Sequence, residues 1–321
     1  MNDGAMIEAS GLTKRYAGHP AIDDLSFTVA RGEIVGILGP NGAGKSTTLR
    51  ILAGYLPATS GFARVAGFDV FSQSLEVRRR IGYMPENNPL HLDLRVREYL
   101  LFRARLKGLG GRRMRERIDC VLEQCDLADV RHSMIGQLSL GYRQRIGLAD
   151  ALVHEPELII LDEPTLGLDP NQIRAVRQLI KDLGGYHTVL ISTHILPEAE
   201  MTCQRVLILH EGRILAADSP ENLQQHVGSR GQVTAEIAAP AAALREFLEG
   251  LDGVAHFNVA PLDGEFLRCA LTPLPGLDLR PALFAAVRDR GWTLRELTRS
   301  RPTLEDIFVH MTRDIQEEEA G

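Results

Sequence analysis

Gly39-Pro40-Asn41-Gly42-Ala43-Gly44-Lys45-Ser46-Thr47 fits the pattern G-x-x-x-x-G-K-[ST] in full. Glu33 to Leu38 (EIVGIL) precedes it as a short apolar run of strand character. Lys45 to Ala53 follows with Leu49, Ile51, Leu52 and Ala53 as the apolar positions of a helix. Gly42 and Gly44 let the backbone turn tightly enough for successive N–H groups to converge on phosphate oxygens. The N-terminus of the following helix adds partial positive charge. In this pattern Lys45 is expected to reach the β- and γ-phosphates of a nucleotide, and the Ser46 hydroxyl to ligate Mg²⁺. A Gly-rich turn formed by chance is the competing reading, and a strand before and a helix after weigh against it.

Leu158-Ile159-Ile160-Leu161-Asp162-Glu163 supplies a second element of chemistry. Adjacent carboxylates closing a buried-type strand are costly unless they serve a cation or a reaction. Asp162 is expected to hold the Mg²⁺ shell and Glu163 to polarise an attacking water. Without the phosphate loop the pair could simply cap the turn at Pro164.

Around these motifs, strand patterns alternate with helical ones. Ile7 to Leu12 and Leu25 to Ala30 read as strands with a turn at Gly18-His19-Pro20, and short β segments follow at Gly61 to Ala66 and Arg80 to Met84. Val96 to Leu127 reads as helix broken at Gly108 to Gly111, a further helix follows Ser139, and Pro170 to Leu183 is helical. His187 to Ser192 is a strand, and Arg205 to Leu209 with Arg213 to Ala216 forms a closing hairpin. The alternation implies a parallel sheet with ligands at the strand C-termini. Asp218-Ser219-Pro220 breaks the rhythm, giving an expected ATP-binding domain over 1–222 and an accessory domain over 223–321. In the latter, Gln232 to Ala238, Val254 to Ala260, Glu265 to Leu271 and Trp292 to Thr298 read as strands, with helices at Ala241 to Gly250 and Leu279 to Arg290. That β-α-β-β-α-β order is ferredoxin-like. A last helix is expected from Thr303, where Thr303-Leu304-Glu305-Asp306 has capping-box spacing.

Composition narrows the options. The 321 residues include 36 Lys plus Arg against 42 Asp plus Glu, a net charge of -6, and 44% are apolar. This balance argues against bulk attraction to nucleic acid, so the basic runs Arg78-Arg79-Arg80 and Arg112 to Arg117 read as solvated helix faces. The four cysteines form no Cys-x-x-Cys pair and are expected to be buried thiols. No secretory leader and no membrane-spanning apolar run is visible, so a cytoplasmic location is expected.

Leu138-Ser139-Leu140-Gly141-Tyr142-Arg143-Gln144-Arg145 resembles the signature motif of ABC-type ATPases, Gly167-Leu168-Asp169 resembles their D-loop, and His194 their switch histidine. Tyr16 stands where that family places its adenine-stacking aromatic. The resemblance spans about the first 218 residues, and the order and spacing of five motifs make it specific. It implies an α/β P-loop NTPase fold with antiparallel β and helical subdomains. It also implies an ATP hydrolase using ATP and Mg²⁺, with Gly39 to Thr47 around the phosphates. Two such domains would pack head to tail, Ser139 and Gly141 of one closing on the γ-phosphate held by the other, so that a homodimer suffices. Hydrolysis would drive transport through a separate polytopic permease, with the chain attached peripherally to the cytoplasmic face of the membrane. One such domain with a C-terminal appendage ending in Thr303 to Arg313 looks like prokaryotic exporters of gliding-motility, multidrug and copper-maturation types. In such transporters the region of Leu90 and Leu92 meets a coupling helix of the membrane subunit.

Other readings are a soluble ATPase acting on ribosomes, a DNA-repair ATPase and a non-hydrolysing nucleotide sensor. The first usually carries two motif sets and the second long heptad insertions, and neither is present. Retention of Lys45, Asp162, Glu163 and His194 together argues against the third. Two motifs depart from the family pattern. In the signature, Leu140 and Tyr142 replace Gly and Gln. At the Q-loop position, Met84-Pro85-Glu86 presents Glu86 where the family usually has a neutral Gln ligand for Mg²⁺. A carboxylate is still a good hard-cation ligand; Glu86 facing solvent or a partner helix is the competing reading. Glu86→Gln is therefore expected to keep ATP turnover but alter its Mg²⁺ dependence. A titration curve superimposable on that of the unaltered protein removes Glu86 from the ligand set.

Overall fold

The apolar run ahead of the phosphate loop is the third strand of the chain in a computed structural model that describes residues 4–227, 233–274, 277–299, 303–309 and 311–312. The first part runs β1 (Ala5–Tyr16), β2 (His19–Ala30), β3 (Ile34–Leu38), α1 (Lys45–Leu52), β4 (Ser60–Val65), β5 (Phe68–Asp69), α2 (Ser74–Arg80) and β6 (Ile81–Met84). It continues with α3 (Val96–Leu106), α4 (Gly111–Gln124), α5 (Leu140–Leu152), β7 (Leu158–Asp162), α6 (Pro170–Leu183), β8 (Thr188–Thr193), α7 (Leu196–Thr202), β9 (Arg205–His210) and β10 (Arg213–Asp218). One sheet has the order β10-β9-β3-β8-β7-β6. Its strands are parallel except for the β9–β10 hairpin. Every residue of β3, β7 and β8 is buried, because parallel strands are covered on both faces and so read as continuous apolar runs. Their C-terminal ends bring the phosphate loop, Asp162 and Thr193 to one edge.

A second sheet, antiparallel in the order β2-β1-β4-β5, packs its apolar face into the same core, where Ile7, Leu12, Ile22 and Val65 meet Val35, Ile37, Leu49 and Leu207. β1 and β2 are longer than their sequence pattern suggests: His19 and Pro20 belong to β2, and the turn is Ala17-Gly18, both at positive φ. Register shifts between Ala9 and Leu12 and between Leu12 and Lys14 break the two-residue alternation along β1, hiding the strand from a periodicity reading.

Helices α3, α4 and α5 form a helical subdomain. Asp150 on α5 joins it together. Arg103 on α3 donates through Nε to both Asp150 carboxylate oxygens at 3.0 Å, and Lys107 Nζ lies 3.0 Å from Asp150 Oδ1. Burial pushes the Asp150 carboxyl up, but Lys107 and Arg103 overcome this and hold it below the usual carboxylate range. Of the cysteines, Cys125, Cys203 and Cys269 are buried and Cys120 is half-buried. No described helix is long and apolar enough to cross a membrane.

The chain divides between Ser219 and Pro220, so the expected division after residue 222 falls inside α8 (Pro220–Val227). The second unit contains β11 (Val233–Ala238), α9 (Ala241–Glu249), β12 (Val254–Pro261), β13 (Phe266–Pro273), α10 (Arg280–Asp289) and β14 (Thr293–Arg299). Its antiparallel sheet has the order β12-β13-β11-β14, that of a ferredoxin-like split β-α-β unit. Val233, Ala235 and Ile237 pack with Leu244 and Leu248 of α9 and Leu283 and Val287 of α10. Residues 304–309 are helical as the capping box implies, with Thr303 Oγ1 accepting from Asp306 N at 3.2 Å. Gln232 of the expected first strand, and His310 and Arg313 of the expected last helix, lie outside the described residues.

Asp150→Ala strands two part-buried cations and is expected to cost about 3–5 kcal/mol, read as a lower urea midpoint. Because the folded-state pKa of Asp150 is depressed, its contribution is complete above the unfolded value of roughly 4 and is lost as pH falls through the folded one.

Candidate active site

The loop between β3 and α1 needs its glycines for space as well as for backbone angle. Gly44, at φ 100°, would place a Cβ 2.5 Å from the Ala21 carbonyl oxygen and 2.6 Å from Ile22 Cγ2. Gly39 sits against the Leu209 carbonyl, which a Cβ would meet at 2.3 Å. The loop is thus wedged between β2 and β9, and its shape is set before any nucleotide arrives. Lys45 folds back over it, donating from Nζ to Gly39 O at 2.8 Å and Pro40 O at 3.2 Å, with Glu163 Oε1 at 3.5 Å. Buried lysine is tolerated here because acceptors and a carboxylate surround it.

Beneath the loop, Asp162 is fully buried at the end of β7. Its Oδ1 accepts from Ser46 Oγ at 3.0 Å and from Ser192 Oγ at 2.6 Å. Its Oδ2 is buried and bonded to nothing among the described residues. A buried carboxylate oxygen with no donor beside a serine hydroxyl fits a hard cation, which takes oxygen ligands of this kind. Burial and, behind it, the charge of Asp162 push the Tyr83 phenol up to about 12.

Glu163 has the left-handed φ of 50°, uncommon for a residue with a side chain. Its N–H is held by Ser192 O at 3.2 Å and Ser192 Oγ at 3.0 Å, which fix the strained turn. The turn aims the carboxylate into the cavity, where Oε2 lies 2.9 Å from Nδ1 of His194. With an ionised Glu163, Nδ1 carries the proton and donates.

One open cavity of about 550 Å³ is lined by Pro40 to Thr47, Glu86, Glu163 and His194, together with Ala21 and Leu166. Glu86 has no hydrogen bond or ion pair among the described residues and faces this space. Three residues of the sequence reading are elsewhere. Tyr16 is exposed at the β1–β2 turn, with Lys14 Nζ 5.4 Å from its ring centre. Ser139 and Gly141 form the N-terminal end of α5: Ser139 is the exposed cap residue, and Gly141 is buried against the Gln172 side chain, which a Cβ would meet at 2.6 Å. Leu90 is half-buried and Leu92 exposed. Ser192 escaped the sequence reading, although it ties Asp162 to Glu163. Its only signal was a hydroxyl closing an apolar run.

The ABC transporter family model matches residues 22–166, and one described as "AAA domain, putative AbiEii toxin, Type IV TA system" matches 134–199. Daunorubicin resistance ATP-binding protein DrrA3 of Streptomyces coeruleorubidus is 36% identical over 310 residues, covering 96% of each chain. This chain belongs to the ABC transporter ATP-binding protein family. Nod factor export ATP-binding protein I of Burkholderia orbicola is also 36% identical, over 98% of this ATP-binding chain and 99% of its own. Among solved structures, an ATP-binding subunit of an ABC transporter matches at 32% identity and a TM-score of 0.63, over 69% of this chain and 93% of that one. A dimeric ATP-binding cassette in a post-hydrolysis state with ADP and Pi matches at 27% identity and 0.61, over 67% and 98%. The chain is accordingly an ABC-type ATPase, which binds and hydrolyses ATP.

A side chain at Gly44 would combine a left-handed φ with a clash against β2. Gly44→Ala is expected to weaken ATP binding roughly tenfold or more, matching a strain of about 1–3 kcal/mol, as measured by calorimetric titration.

Proposed function

We propose that this ATP-binding protein is the motor of an exporter whose membrane-spanning subunits are separate chains, and that two copies close head to tail around ATP. The observation that carries the reading is the convergence of Lys45, Ser46, Glu163 and His194 on one cavity, with Asp162 buried directly beneath. Relatives aligned over nearly their whole length are named for drug resistance and Nod factor export. The described part of this chain contains no membrane-crossing helix, so cargo movement needs a partner that has them. Ser139 and Gly141 lie outside their own chain's phosphate cavity, consistent with service to a second copy. The cassette solved with ADP and Pi is itself dimeric.

In this mechanism the loop amides and Lys45 Nζ hold the β- and γ-phosphate oxygens, and Lys45 exchanges its bonds to Gly39 O and Pro40 O for them. Ser46, Asp162 and Glu86 would hold Mg²⁺, which supplies charge neutralisation of the phosphates. Glu163 accepts a proton from water, whose oxygen forms the new bond to the γ-phosphorus as the bond to the bridging oxygen of ADP breaks. His194 orients the Glu163 carboxylate and stands at the γ-phosphate end. Tyr16, exposed on its hairpin, stacks on the adenine. Closure of Ser139 and Gly141 of the second copy excludes water and completes the site. Peripheral attachment to the cytoplasmic face follows from docking on the permease.

Glu163→Gln should lower turnover at least ~100-fold while leaving ATP binding intact. It should also trap an ATP-dependent dimer, visible by size-exclusion chromatography. Persistent turnover would exclude Glu163 as the base. Recovery with a polytopic membrane protein from detergent-solubilised membranes supports the transport role, and recovery only with ribosomes or DNA overturns it.

A further inference from the structure

We propose that Thr165 and Glu198 act as a pair of positioning residues that hold the base Glu163 and His194 in register. Neither residue of the pair lines the phosphate cavity. The Thr165 hydroxyl donates to Glu198 Oε2 at 2.5 Å. Thr165 is only 5% exposed, so its hydroxyl is a buried donor with a charged acceptor, a strong class of hydrogen bond.

The placement of this bond gives it a task. Thr165 follows Glu163 with only Pro164 between them, on the turn that leaves β7. Glu198 lies in the first turn of α7, one helical turn beyond His194. The same two segments are therefore joined twice, by His194 Nδ1 to Glu163 Oε2 at 2.9 Å on the cavity side and by Thr165 to Glu198 behind it. α7 itself packs on α6 and β3, so what one bond alone leaves free is the stretch at its N-terminal end that carries His194. Two bonds fix it. The chain around the pair is held by neighbouring bonds: Leu166 N to Glu163 O at 3.2 Å, Leu168 N to Thr165 O at 3.2 Å, and Ile195 N to Thr193 Oγ1 at 3.0 Å. The space beside it, lined by Pro164, Thr193, Arg177 and Cys203, is a void of about 20 Å³, room for roughly one water.

Glu163 needs this support because its own backbone is strained at φ 50°. A turn held in a sparsely populated conformation relaxes when its restraints are removed, and a displacement of about 1 Å at a base costs roughly 100-fold in rate. Loss of the outer bond should thus slow the chemical step without loosening nucleotide, whose contacts lie on the phosphate loop.

The inference rests on the roles of Glu163 and His194 proposed above. Thr165→Val, near in shape and lacking the hydroxyl, is expected to lower kcat roughly 10- to 100-fold, with the KM for ATP within about twofold. Glu198→Ala should do the same, and the double variant should be no slower than the slower single one, since both changes remove one bond. Thr165→Ser keeps the donor and Glu198→Gln keeps an acceptor, and each should restore most of the rate. Thermal melting of each variant, followed in parallel, confirms that folded protein is compared. The inference is overturned if Thr165→Val and Glu198→Ala turn over ATP normally while Glu163→Gln is inactive. It is equally overturned if Thr165→Ser is as slow as Thr165→Val, or if the two single losses multiply in the double variant. Undiminished turnover by Glu163→Gln would instead remove the site assignment, and this inference with it.

Discussion

A carboxylate with no solvent access holds the site of this ATPase together. Asp162 accepts a hydroxyl from Ser46 at the start of α1 and another from Ser192 on β8, so three elements converge on one oxygen. Burying that charge is unfavourable unless donors or a cation offset it. Its second oxygen has no donor among the described residues, an arrangement that suits a hard cation. The site therefore reflects a constraint of solvation as much as one of catalysis. A sheet that ends on Asp162 must bring hydroxyls to it, and the phosphate loop supplies one of them.

The same economy operates in the helical subdomain. Asp150, Arg103 and Lys107 bring α5 and α3 together through a part-buried ionic cluster. The helix so anchored is the one whose N-terminus carries Ser139 and Gly141. Close packing of Gly141 against Gln172 ties that end to α6, whose own start is capped by Asp169. The end of α5 proposed to serve a second copy is thus as firmly placed as the phosphate loop itself.

Much of this was legible in the residues. The phosphate loop, the Asp162-Glu163 pair, the buried parallel strands and the βαββαβ order of the second unit all follow from local patterns with one physical cause each. Helix α7 was less visible, being short and carrying Pro197 near its start, so that packing rather than propensity forms it. The bulged strands β1 and β2 lost their alternation to register shifts. Ser192 looked like an ordinary strand residue because its partners are 29 and 30 positions away.

By itself the sequence determined the glycine-rich loop pattern at Gly39 to Thr47 and the paired carboxylates Asp162 and Glu163, because those features depend on glycine freedom, helix ends and charge within short spans. Only the tertiary structure decided that Glu86 faces the same cavity, that Ser192 links the Asp162 carboxylate to the Glu163 backbone N–H and that Thr165 is fastened to Glu198. Each of these is a contact between segments far apart along the chain. Their geometry is set by strand order and register, which no local pattern encodes.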